Sequence, residues 1–114
     1  MATIKAYTDL EQSKKLAEIL PLESADMSWV SNGLGKPFAR TIPIKGDPEE
    51  LCACWSLAAL LGVLPKVINN ETLFIETSPA LWHIGYRNVY TARTDNAIDC
   101  CVNMILKLHE KDLL

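Results

Sequence analysis

The residues best equipped for chemistry are two pairs of cysteines. Cys52 and Cys54 stand one residue apart beside Trp55 in the stretch "ELCACWSLAALLGVLP" (residues 50–65), and Cys100 and Cys101 are adjacent. Thiolates are nucleophiles and soft-metal ligands, so such pairs invite a redox or metal reading. Neither pair has the C-x-x-C spacing of zinc knuckles or thioredoxin-like sites. At about 100° per helical residue, Cys52 and Cys54 diverge by roughly 160°, and Cys100 and Cys101 by about 100°. A strand would put Cys52 and Cys54 on one side, but the run Asp47-Pro48-Glu49-Glu50 and the Leu and Ala residues after it favour a helix. The thiols are therefore expected to be core filling, and no metal ligand, catalytic residue or cofactor is assigned.

Other candidates are weaker. "GLGK" at residues 33–36 lacks the spacing of a phosphate loop and has no helix after it, so it reads as a turn. His83 and Arg87 share one side of a strand, about 13 Å apart along an extended chain, and are not neighbours by themselves. Trp82 and Tyr86 fall on the other side. A small-molecule pocket or active site around Trp82, His83, Tyr86 and Arg87 is the alternative functional reading, and it needs a bulge or strand end to bring the four together. His109 lies near a helix end and points away from Cys100, while a Cys54 to His83 dyad would have to form across elements. Trp29, Trp55 and Trp82 read as core anchors. Asp26, Glu71, Glu76 and Asp99 offer no spacing that singles out a carboxylate pair.

The elements that hold these residues can be read from periodicity. With 114 residues, 49% of them hydrophobic and 22% charged, the chain has an ordinary globular composition and the size of one domain. Thr8 and Glu11 have capping-box spacing, predicting a helix from 9 to 20 that ends at Pro21. "DMSWVS" and "PFARTIPIK" read as a hairpin turned at Asn32-Gly33, with Phe38, Ile42 and Ile44 on one side and Pro43 marking an edge strand. A second helix is predicted over residues 48–63, capped by Asp47. "KVINNETLFIET" and "ALWHIGYRNVYTA" then read as one strand each, paired with each other as another hairpin. A last helix, capped by Thr94 or Asp95, carries a stripe of Ala97, Ile98, Cys101, Met104, Ile105 and Leu108. The expected fold is α+β in the order α-β-β-α-β-β-α, an antiparallel sheet of about four strands with helices on one face.

Charge and segment length exclude several functions. A net charge of −3 leaves no excess of Lys and Arg for a phosphate backbone, so nucleic acid is not the expected partner. No apolar run is long enough to span a bilayer and the first residues form no signal region, which points to the cytoplasm, where thiols stay reduced. The second predicted helix is apolar on every side, with Ala58 and Gly62 small enough to admit a close neighbour. It needs cover from the rest of the chain or from a second copy.

The stretches "TDLEQSKKLAEILPLESADM", "CWSLAALLGVLP" and "DCCVNMILKLHEKDLL" resemble short uncharacterised proteins of gut bacterial genomes and their mobile elements. The resemblance implies a small intracellular protein linked to a phage or mobile element, and carries over no site residues. The expected function is accordingly a protein-interaction module that binds another protein or itself, as a homodimer.

Overall fold

The computed structural model of the chain describes residues 5–31, 37–40 and 50–114. Helix α1 (Leu10–Ala17) is capped by Asp9, which accepts the Gln12 backbone N–H at 2.7 Å while the Gln12 side chain accepts the Asp9 N–H at 3.1 Å. The expected reciprocal cap is present, one residue further along than Thr8 and Glu11. Thr8 is buried instead. Its hydroxyl lies 2.7 Å from Ser13 Oγ and accepts the Trp55 N–H at 3.1 Å. A 3-10 turn (Leu22–Ser24) follows Pro21 and leads into the first sheet.

That sheet contains β1 (Met27–Val30), β2 (Phe38–Arg40) and β3 (Glu50–Cys54), in the order β2-β1-β3, all antiparallel. The β1 and β2 pair is the expected hairpin, with β2 at the edge. The Asn32-Gly33 turn, the remainder of "GLGK", Ile42, Pro43, Ile44 and the Asp47-Pro48 cap lie outside the described residues.

The helix expected over residues 48–63 is corrected by the structure. Its first part is strand β3, which places Trp29 opposite Cys52 and Met27 opposite Cys54, and helix α2 covers only Leu57–Val63. Tertiary pairing overrides local propensity here. Trp55 is fully buried, its indole N–H donates to Ser24 Oγ at 3.0 Å, and the Ser56 N–H donates to Asp26 at 2.9 Å. With Ser56 held there, its hydroxyl accepts the Ala59 N–H at 3.2 Å and caps α2.

The second sheet runs in the order β4-β5-β6-β7: β4 (Val67–Ile68), β5 (Glu71–Thr77), β6 (Trp82–Tyr86) and β7 (Tyr90–Thr94). Each segment expected to be one strand is a hairpin of its own. Asn69 and Asn70 have φ of 51° and 67°, the pair of positive angles that a two-residue hairpin turn requires. Asn88, with φ 62°, turns β6 into β7. Asn tolerates this conformation, so the chain reverses without glycine. At Gly85, by contrast, a Cβ would sit 2.3 Å from the Tyr90 carbonyl oxygen and 2.7 Å from Thr91 Cα, so only glycine lets the strands approach this closely.

Helix α3 (Ala97–Glu110) is capped by Asn96, which accepts the Asp99 N–H at 2.8 Å. The cap is one or two residues beyond the expected Thr94 or Asp95, and all six residues of the expected stripe are buried. α3 covers β6 and β7, α2 packs on α3, and α1 packs on β3. Leu16 of α1, Leu20 just beyond it, Trp55, Leu60, Leu64, Ile84, Tyr86 and the α3 stripe from Ile98 onward join one hydrophobic core. The result is an α+β fold whose element order follows the expected one, with the strands divided between two sheets.

Candidate functional site

The strand alternation of β6 decides where the four candidate residues go. Ile84 and Tyr86 face α3 and are fully buried, and the Tyr86 hydroxyl donates to the Pro65 carbonyl at 2.6 Å. Burial, followed by proximity to the Cys101 thiol, pushes the Tyr86 hydroxyl up to about 12, so it stays protonated. Trp82 shares this inner face and packs partly buried against the core. His83 and Arg87 are on the outer face, and the structure does not bring the four residues together.

A residue missed in the sequence links the outer two. Phe74, opposite Gly85 in the sheet, meets the His83 ring edge to face at a centroid distance of 4.9 Å and has the Arg87 guanidinium 4.5 Å from its own centroid. Arg87 also forms an ion pair with Glu76. The register then places Glu76, His83 and Arg93 in a row across three strands. Beside this row a polar cleft of about 220 Å³ is lined by Glu76, Thr77, Ser78, Leu81, His83 and Arg93. The sequence signal for it was alternation, which only becomes informative once strand register is known.

A second, larger concavity lies beside α2. It measures about 600 Å³ and is lined by Ile19, Leu20, Pro21, Ser24, Ala59, Gly62, Val63 and Leu114. Its single hydroxyl, Ser24, already donates to Pro21 O at 2.6 Å and accepts from Trp55. Among the described residues, no charged side chain lines it. Leu22, 58% exposed, follows Pro21 directly, and Gly62 has open space where a Cβ would be.

The cysteines do not form a site. Cys52 and Cys54, two apart on a strand, point to one side, which corrects the divergence expected from a helix. Cys54 Sγ nevertheless lies 3.6 Å from Thr8 Oγ1 and donates to Thr8 O at 3.5 Å inside the buried hydroxyl cluster. Burial pushes the Cys54, Cys100 and Cys101 thiols up, Cys101 to about 12. These three are protonated and poor nucleophiles at neutral pH. No disulfide joins the four, and among the described residues no group of three or more His, Cys, Asp and Glu could hold a metal ion. Cys54 is engaged with Thr8 and His83 with Phe74. His109 is exposed in the last turn of α3.

No family model, curated protein or solved structure matches the chain. Among the described residues, no helix is long and apolar enough to cross a membrane.

Proposed function

We propose that the chain is a small protein-interaction module whose contact surface is the apolar hollow between the end of α1, the 3-10 turn and α2. Its occupant is an aliphatic or aromatic side chain carried by a partner polypeptide. The observation carrying this reading is the hollow itself, a volume of about 600 Å³ lined mainly by apolar side chains, with Gly62 on its wall. A helical glycine costs about 0.5–1 kcal/mol relative to alanine. Among the described residues, nothing outside the helix's own backbone comes within 4 Å of the position a Gly62 Cβ would take, so packing among them gives no reason for that cost. Exposed Leu22 and Leu114 extend the apolar surface beyond what a small ligand would cover, which favours a polypeptide. A second copy of the chain, as a homodimer, is one form such a partner takes. Four cysteines without a disulfide support a cytoplasmic setting for this role.

The test pairs concentration-dependent NMR with peptide selection. Amide shifts of Ile19, Ala59, Gly62 and Val63 that move as the protein is concentrated identify self-association. Selected peptides with an apolar anchor that bind wild type and not Gly62→Phe identify a partner segment. If neither shift nor discriminating peptide is found, while Gly62→Phe keeps the wild-type spectrum elsewhere, the reading fails.

A further inference from the structure

The outer face of the second sheet carries a different chemistry, independent of the apolar hollow. Its two arginines are used unequally. Arg87 is committed to Glu76 and to the Phe74 ring, whereas Arg93 has neither a carboxylate nor a hydrogen-bond partner among the described residues. Because Arg87 compensates Glu76, the cleft lined by Glu76, Thr77, Ser78, Leu81, His83 and Arg93 retains an excess of positive charge. His83 adds a second observation: its Nε2 is buried without a hydrogen-bond partner among the described residues. A buried polar atom left unpaired is costly, and such atoms in folded proteins call for an explanation. His83 is one of the residues lining the cleft, so an acceptor bound there lies beside the ring that carries this unpaired nitrogen.

We propose that this cleft binds a small oxyanion, the phosphate or carboxylate group of a ligand. Arg93 supplies the charge-assisted bonds, His83 a ring N–H, and Thr77 and Ser78 their hydroxyls. An arginine fork matches both ligand groups in geometry, and the volume of about 220 Å³ admits the head group with little more of the molecule. Glu76 opposes the anion, and the Arg87 pair limits that opposition, which makes the site sensitive to a residue pair at its margin.

The experiment is an NMR titration of the intact chain with inorganic phosphate and, separately, with acetate, at constant ionic strength with chloride as the reference. The expected result is a saturable shift of the Arg93 side-chain N–H, the His83 ring and the Thr77 and Ser78 amides. Arg93→Gln should weaken binding at least tenfold, and Glu76→Gln should strengthen it severalfold. Saturation by phosphate alone assigns the site to phosphoryl ligands, and saturation by both assigns it to oxyanions in general. The proposal is overturned by the absence of a saturable shift with either anion at tens of millimolar, or by equal affinity in wild type and Arg93→Gln. Should Arg93→Gln fold poorly, Glu76→Gln decides alone, since unchanged or weaker binding there contradicts the charge argument.

Discussion

Gly85 and Gly62 differ in what surrounds them, and the difference separates the part of the molecule that leaves no slack from the part that does. At Gly85 the missing side chain is required by the fold, because β7 backbone occupies the space. At Gly62 none of the described residues occupies it. Around Gly85 the β6 and β7 hairpin is sealed by α3, with Ile84, Tyr86, Cys100 and Cys101 all fully buried. Around Gly62 the helix leaves Ala58 and Gly62 exposed, and Gly62 lines a mainly apolar hollow. A glycine in the first setting reports on folding, and a glycine in the second reports on something outside the chain.

The largest expected effect lies in the tight region. Gly85→Ala forces a methyl group against the Tyr90 carbonyl, and backbone cannot rotate away as a flexible side chain could. We expect a loss of about 3 kcal/mol, in the upper part of the range for overpacked sites. Urea unfolding of the variant measures it, and a change below about 1 kcal/mol would show that β7 has slack after all.

A smaller effect is expected where α3 begins. Lys5 Nζ lies 2.8 Å from Asp99 Oδ1 and 3.1 Å from Asp9 Oδ2, and Gln12 Nε2 donates to Asp99 at 2.8 Å. Burial works to raise the Asp99 carboxyl, but hydrogen bonds from Lys5, Asn96 and Gln12 outweigh it and hold the group below its ordinary value. A carboxyl depressed on folding stabilises above its unfolded pKa, and that contribution disappears as pH falls through the folded value. The loss should therefore occur below about pH 4. Asp99→Asn should cost about 1 kcal/mol at neutral pH, after allowance for solvent screening, and should flatten the stability profile in acid. Wild type and variant losing stability in parallel between pH 5 and 2 would rule out this clamp.

How much of this was legible beforehand depended on whether local or distant partners decided each element. The α3 stripe, the β1 and β2 hairpin and the opposite facing of Tyr86 and His83 follow from periodicity, and the structure has them. The hairpin turn at Asn69-Asn70 was present as a signal too, since Asn readily takes positive φ, but the continuous β-prone residues around it hid the reversal. Residues 50–54 were not legible. Their Leu, Cys and Ala composition suits either state, and pairing with Met27 and Trp29, far off in sequence, selects the strand. Cys54, Cys100 and Cys101 end as interior filling and Cys52 is only partly buried, for a reason other than the expected one: Cys52 and Cys54 share a side, and the Thr8 and Ser13 hydroxyl cluster encloses the second of them. The row of Glu76, His83 and Arg93 required register across three strands, which no single stretch of sequence encodes.

The smallest effect has the opposite sign and bears most directly on the comparison. Gly62 lies within α2, has open space at its Cβ position among the described residues and has no left-handed φ, so alanine fits without strain. Removing the conformational freedom of glycine from the unfolded chain should then stabilise the protein by about 0.5–1 kcal/mol, read as a higher urea midpoint at constant slope. If Gly62→Ala is neutral or destabilising, Gly62 serves the fold as Gly85 does, and the two regions are alike. If it stabilises the chain while weakening the association proposed for the hollow, stability and contact are opposed at one position, which is the pattern expected where a surface is kept open for a partner.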